Sequence, residues 1–474
     1  MKNKLLLFCV CILYALQSFS QTSVVGKSQN YSTNKKVLIK EYNYPATIAC
    51  ANSGADSVTF IYTDGTMQSA EIVIRGYWIN DISIVKDTLF FCGRTAGNRT
   101  TSGIFGFFKF NSSFTPVSGI HICENIIAGE TGNKVIELTR MKPFFTSYGE
   151  RHVACLGFCD YFLNHCFIDF YSMNAPTTMW NYFGGIPNNE NETFSDVTLV
   201  STYLTSQNYI VTSGFDTRYG KYINLRVYNP DYTLDPTGIE NRMFTYSVDP
   251  VCANEWSTDR VLLSPIGDGI FSTASVRDGH YNNCENPGLC DYSLHIAFYN
   301  IAALLSNSVF AMTQDIYVNL SSSIKKDLER YIVKPSTRTL ALLHNYSECG
   351  IGQRSVFCEV DYPSLTSAGS LRAFQYPDNN LQGMSTYKNQ TKYVMSGFSR
   401  SDNNWLKYEM ETFGSNSLCA EKVDYKYYAG QTLSSINEES GFSTIMGKVQ
   451  WENISYERRY LGVHKECDNG SREE

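Results

Sequence analysis

A strongly apolar stretch recurs along this chain, usually ending in a small residue, and a polar loop then leads each copy into a stretch that alternates. The apolar copies read Leu89-Phe90-Phe91-Cys92-Gly93, Val153-Ala154-Cys155-Leu156-Gly157, Tyr209-Ile210-Val211-Thr212-Ser213-Gly214 and Ile270-Phe271-Ser272-Thr273-Ala274. Two more are Leu340-Ala341-Leu342-Leu343-His344 and Tyr393-Val394-Met395-Ser396-Gly397. Their alternating partners begin at Gly106, Phe167, Asn224, His295, Val356 and Leu406. A weaker copy opens the series, with Ile48-Ala49-Cys50 followed by Val58-Thr59-Phe60-Ile61-Tyr62. Gly93, Gly157, Gly214 and Ala274 fall roughly 55 to 65 residues apart, with a double step to Gly397 across the His344 copy. A continuous apolar run beside alternating ones is the pattern of a strand covered on both faces next to half-buried neighbours. The small terminal residue predicts a close approach of neighbouring units.

Strand–turn–strand–loop–strand units of this kind cannot bury their faces alone, and stacking around an axis is one way to do so. The prediction is an all-β fold, a β-propeller of seven blades over residues 38–463, with paired β-sandwiches as the alternative. No Gly-His…Trp-Asp or kelch signature accompanies the repeat. At 43% hydrophobic and 18% charged side chains the chain is no disordered polymer, and no Pro/Gly/Ser-rich linker divides it. Residues 21–37 form an N-terminal segment and 464–474 a polar, frayed tail. Ser323-Ile324-Lys325-Lys326-Asp327-Leu328-Glu329-Arg330 reads as a serine-capped helical turn or two, inserted between units. Ser443 to Tyr460 is expected to supply a strand that closes the last unit against the first.

Residues 1–20 are read as a secretory leader. Lys2 and Lys4 precede an apolar run from Leu5 to Leu16, and Ser18-Phe19-Ser20 offers a cleavage site before Gln21. The run is too short to span a bilayer, and no later segment is long and apolar enough, so no membrane insertion of the mature chain is expected. Loss of the two leader lysines takes the net charge from −7 to −9, which argues against nucleic acid as a partner. The leader resembles those of exported Gram-negative bacterial proteins. Over residues 40–460 the chain resembles secreted bacterial β-propellers of uncharacterised families. That resemblance implies a fold and a periplasmic, cell-surface or extracellular location, and it carries no catalytic residue across.

Of 15 cysteines, Cys9 and Cys11 lie in the leader and 13 remain. In an oxidising compartment the default state is the disulfide. Cys159 with Cys166, Cys284 with Cys290, and Cys349 with Cys358 are close enough in sequence to tie hairpin loops. His152, Cys155, Cys159, His165 and Cys166 also suggest a zinc or copper site. Strand alternation opposes that reading, because it puts His152 on the face opposite Cys155 and Cys159. A turn centred on Phe162 and Leu163 would instead set Cys159 opposite Cys166 as a disulfide.

HExxH, CxxC and GxSxG are absent, the Gly214…Gly220-Lys221 spacing is wrong for a phosphate loop, and Tyr62-Thr63-Asp64-Gly65-Thr66 is a turn rather than a calcium loop. No cofactor and no metal is expected, and no catalytic residue can be named. The polar chemistry gathers in the loops between second and third strands. There lie Arg94, Asp216, Arg218, Tyr219, Arg277, Asp278, His280, Tyr281, Arg400, Asp402 and Trp405. Carboxylates, arginines and aromatic rings together suit saccharides or a protein surface. The expectation is a binding protein that recognises a glycan or protein partner through one face. The alternatives are a carbohydrate-active hydrolase using loop carboxylates such as Asp216, Asp278 or Glu348 with His280, and a structural part of a surface assembly.

Overall fold

The computed structural model describes most residues between 22 and 467. Outside the described residues lie 1–21, 27–35, 44, 54–56, 65–67, 97–101, 126–135, 148, 150, 160–164, 173–179, 188–193, 203–207, 217–221, 230–241, 248–259, 278–292, 307–311, 320–324, 335–338, 349–351, 362–370, 377–378, 388–391, 400–403, 412–420, 424–425, 430–435, 440–441, 450 and 468–474.

Strand β1 (Thr22–Gly26) is followed by four-stranded antiparallel meanders. The first is β2 (Val37–Glu41), β3 (Thr47–Ser53), β4 (Ser57–Thr63) and β5 (Gln68–Arg75). The second is β6 (Tyr77–Val85), β7 (Thr88–Thr95), β8 (Gly103–Lys109) and β9 (Ile120–Asn125). The third is β10 (Ile136–Phe145), β11 (Arg151–Cys159), β12 (His165–Ser172) and β13 (Trp180–Pro187). The fourth is β14 (Asp196–Ser201), β15 (Asn208–Asp216), β16 (Tyr222–Tyr228) and β17 (Arg242–Ser247). The fifth is β18 (Val261–Gly267), β19 (Ile270–Arg277), β20 (Ser293–Asn300) and β21 (Met312–Asn319), with α1 (Ile301–Leu305) between its last two strands. The sixth is β22 (Lys325–Lys334), β23 (Thr339–Glu348), β24 (Gly352–Asp361) and β25 (Leu371–Tyr376). The seventh takes β26 (Asn379–Thr386), β27 (Lys392–Ser399) and β28 (Trp405–Glu411) from late in the chain and β1 from its start.

The remaining strands run back over the meanders in reverse order. They are β29 (Glu421–Val423), β30 (Lys426–Ala429), β31 (Ile436–Glu439), β32 (Phe442–Val449), β33 (Trp451–Ile454) and β34 (Glu457–Cys467). Each adds a fifth strand, β29 on β25, β30 on β21, β31 on β17, β32 on β13 and β33 on β9. β34 pairs with both β5 and β1, so the first and seventh meanders share one nine-stranded sheet beside five sheets of five strands. The fold is therefore all-β. Among the described residues no helix is long and apolar enough to cross a membrane.

The second and third strands of every meander fall on the repeats read from the sequence. Buried runs such as Leu340-Ala341-Leu342-Leu343, fully enclosed in β23, are covered on both faces. Apolar clusters fill the space between consecutive meanders. One joins Phe60 and Ile72 of the first to Phe91 and Phe108 of the second. Another sets Val37, Ile39 and Ala49 of the first against Val394 and Trp405 of the seventh. First strands also touch in order, β2 with β6, β6 with β10, and onward to β22 with β26, while β26 also lies against β2.

Several expectations are corrected. Residues 325–334 are strand β22, not a helical turn. A bulge between Leu328 and Arg330 adds one residue and shifts the alternation, giving the apolar spacing of a helix. The small residues Gly93 and Gly397 admit not a neighbouring unit but the bulged first strand of their own sheet. A Cβ there would collide with the carbonyls of Trp78 and Asn380. The stretch from His464 is paired through Cys467 on β1 rather than frayed. Ser443–Tyr460 contributes three strands, of which β34 reaches the first meander through Tyr460 opposite Ala70.

The hairpin register separates the cysteine pairs. Cys159 faces His165, and Cys166 faces Phe158. Neighbouring positions on a strand point to opposite faces, so Cys159 and Cys166 cannot meet. Cys166 is buried. Cys358 is free and also buried, opposite Leu342. Its partner in that expectation, Cys349, lies outside the described residues. Cys284 and Cys290 lie outside the described residues.

Candidate functional site

The first strand of each sheet is an edge strand, and its main-chain groups need partners. Side chains of the preceding meander supply them. Asn52 accepts from the Ile79 N–H at 2.8 Å and donates to the Ile79 carbonyl at 2.7 Å. Asp81 accepts from Met141 N–H at 3.1 Å, Asp196 from Leu263 at 2.8 Å and Ser264 from Val333 at 2.8 Å. Ser355 accepts from Leu381 at 2.8 Å, and Gln382 from Val37 at 2.8 Å. Arg140 reaches Asp196 at 3.8 Å across the junction between the third and fourth meanders.

Bulges in β6, β10, β22 and β26 leave Asn80, Thr139, Glu329 and Gln382 as extra residues. Each bulge turns the residue after it to a new face. The result is a cavity of about 300 Å³ lined by residues of all seven first strands, from Lys40 on β2 to Ser385 on β26. Lys40, Arg140, Lys142 and Arg330 line it, against two carboxylates, Asp81 and Asp196.

The electrostatics follow from crowding these charges in a confined space. Burial lowers Lys36 to about 7, helped by Arg140, Arg260 and Arg330 and opposed by Asp81. Burial also lowers Lys40 and Lys142, and brings Arg330 down to about 10 with Arg140 as the next cause. Burial pushes Asp196 up against the pull of Arg140. It acts on Asp81 the same way, but Lys40, Arg140, Arg330 and the Met141 N–H together hold that carboxyl below its ordinary value.

A lysine lowered in the folded state binds fewer protons than its unfolded counterpart between about 7 and about 10.4, so stability rises with pH across that window. Lys36→Met is expected to flatten this rise, read as denaturation midpoints from pH 6.5 to 10. Equal slopes in variant and wild type would contradict the assignment.

A polar chain runs from Asn80, the extra residue of the β6 bulge, to Arg94 near the end of β7. Lys36 and Trp78 both donate to Asn80 Oδ1, at 3.3 and 3.1 Å. The Asn80 amide donates to Glu137, and Glu137 lies 3.8 Å from Arg94, whose guanidinium covers the Trp78 ring. Arg94, an expected ligand contact, is thus half-buried at the start of its loop. Asp216 and Arg277 end β15 and β19 at the corresponding position. Trp405 is corrected to a core residue, 2% exposed, with its indole N–H donated to Ser396 at 2.7 Å. Arg218, Tyr219, Asp278, His280, Tyr281, Arg400 and Asp402 lie outside the described residues.

His152 stacks on Phe144, whereas Cys155 packs with Cys92, Cys123 and Tyr171 in a different cluster. Among the described residues no three metal-ligating side chains are grouped to hold an ion. Burial pushes the thiols of Cys50, Cys123, Cys155 and Cys358 up, away from reactivity.

The cavity residues were not among the expected ligand contacts. Their signal is a polar pair that breaks the alternation of a first strand: Asn80-Asp81, Thr139-Arg140, Ser195-Asp196, Glu329-Arg330. Comparison of the sequence with protein-family models and with curated proteins finds no match.

Proposed function

We propose that the chain is an exported seven-bladed β-propeller that binds an acidic ligand without chemical turnover. The cyclic order of first-strand contacts, including the last with the first, supports the ring. So do the apolar clusters placed between consecutive meanders. The leader-like residues 1–20 support export.

One observation carries the functional reading: a polar cavity at the meeting of all seven first strands holds four cationic side chains against two carboxylates. Both carboxylates are already acceptors for main-chain N–H groups of neighbouring strands, Asp81 for Met141 and Asp196 for Leu263. That use as structural acceptors favours binding over acid–base hydrolysis. The ligand is a glycan or a partner protein that presents carboxylate, sulfate or phosphate groups to the cavity mouth and the loops around it.

The test is binding of residues 21–474 to neutral, carboxylated and sulfated polysaccharides, beside a variant with Arg277, Asp278 and His280 changed to alanine. Binding that weakens in the folded variant places recognition on the loop face. Product release from a bound polysaccharide would overturn the absence of turnover.

A further inference from the structure

Within the cavity, the charges fall into two groups. Arg140 is matched by Asp196 at 3.8 Å. The carboxylate oxygens of Asp81 accept from the N–H groups of Ile82 at 3.0 Å and Met141 at 3.1 Å. Those of Asp196 accept from Val197 at 2.9 Å and Leu263 at 2.8 Å. These groups hold the strand junctions together.

Lys40, Lys142 and Arg330 feel the charge of Asp81 but make no hydrogen bond or ion pair with that framework among the described residues. They come from three meanders, on β2, β10 and β22, and line the same cavity. Among the described residues neither lysine has a hydrogen-bond or ion-pair partner. The hydrogen bond of the Arg330 guanidinium goes to the carbonyl of its own neighbour, Glu329, at 3.0 Å. Lys40 depresses Lys142, and Arg140 depresses Arg330, so the cations feel one another across the space. Mutually repelling cations in a confined polar space are stabilised by a counter-ion.

We propose that Lys40, Lys142 and Arg330 form a site for a compact dianionic oxoanion, inorganic sulfate or phosphate or a phosphate monoester borne on a sugar. The charge count argues for two negative charges: four cations, Lys40, Arg140, Lys142 and Arg330, face two carboxylates, Asp81 and Asp196. An oxoanion offers several acceptor oxygens, which suits the three donors of each ammonium and the fork of Arg330. At about 300 Å³ the space admits such a group or a small molecule carrying it. The proposal rests with the preceding reading on the same cationic cavity, and it requires neither a polysaccharide nor a protein partner.

The test uses residues 21–474 titrated with sodium sulfate, sodium phosphate, glucose 6-phosphate and sodium acetate at constant ionic strength set by chloride. Calorimetry and thermal denaturation provide the two readouts. Sulfate and phosphate are expected to bind one per chain, saturably, and at least about tenfold tighter than acetate. Glucose 6-phosphate that competes with sulfate places the sugar-borne group in the same site. Failure to compete restricts the site to the free ion and overturns that half of the proposal.

Lys142→Met and Lys40→Met are each expected to lose about tenfold or more in sulfate affinity. Their denaturation temperature in chloride should be unchanged or higher, because an unpaired cation has been removed. Folded variants that bind sulfate as the wild type does overturn the proposal. So does a non-saturating rise in stability, equal in all three chains, which is a general salt effect. Oxoanion binding with no polysaccharide bound defeats the preceding reading alone. Polysaccharide binding by a chain that binds neither sulfate nor phosphate saturably defeats this one alone.

Discussion

Glu359→Ala is expected to cost the folded chain about 3–5 kcal/mol, because it strands a buried cation. Glu359 and Arg372 face each other on β24 and β25, and their side chains are 0% and 9% exposed. Both Nε and Nη2 of Arg372 reach one carboxylate oxygen, each at 2.5 Å. With the carboxylate gone, the guanidinium keeps its desolvation cost and loses its strongest partner. The double variant Glu359→Leu with Arg372→Met removes both charges and keeps most of the volume, so it should lie within about 2 kcal/mol of wild type. Denaturant midpoints of the single and double variants check this. A single variant as mild as the double would mean that the pair contributes nothing specific.

Phe91→Ala is the second large effect, again about 3–5 kcal/mol. Phe91 is fully buried between the first and second meanders, and its ring centre lies 5.4 Å from that of Phe60. The ring sits over Gly106 on the adjacent strand, where a Cβ would run into it. Gly106→Ala alone should therefore destabilise by about 1–3 kcal/mol through overpacking. Combining Gly106→Ala with Phe91→Leu should recover part of the loss, because the added methyl enters space the smaller side chain leaves. Strict additivity of the two substitutions would show that the contact is not shared. If Phe91→Ala cost less than about 1 kcal/mol, the interface between these meanders would not be a packed core.

The second and third strands were legible because burial on both faces leaves a continuous apolar run that few other elements share. Val153–Gly157 and Leu340–Leu343 are examples. The first strands were harder to read. A bulge at Glu329 slips the alternation by one residue, and Leu328 and Tyr331 then imitate a helical face. The same slip hid part of the cavity, since Arg140 and Arg330 follow bulges rather than the loops that attract attention by composition. The returning outer strands left almost no trace. Segments such as Glu421–Val423 and Lys426–Ala429 contribute mainly main-chain hydrogen bonds to an existing edge, which any sequence can make. The expected pairing of Cys159 with Cys166 missed by a single step of register: Cys159 lies opposite His165, which sends Cys166 to the opposite face. Trp405 was read as a loop residue because its strand begins one position earlier than its neighbours suggest, with the indole turned into the core between the seventh and first meanders.

The cationic cavity is probed most directly by comparing acidic with neutral ligands on one protein. Residues 21–474 and the Lys40→Met/Lys142→Met double variant would be titrated with matched sulfated and unsulfated polysaccharides of the same backbone. The account predicts that the wild type prefers the sulfated chain by about tenfold or more, that added salt erodes this preference, and that the folded double variant largely loses it. Equal binding of both polysaccharides by the wild type, or a preference that survives removal of both lysines, would contradict it.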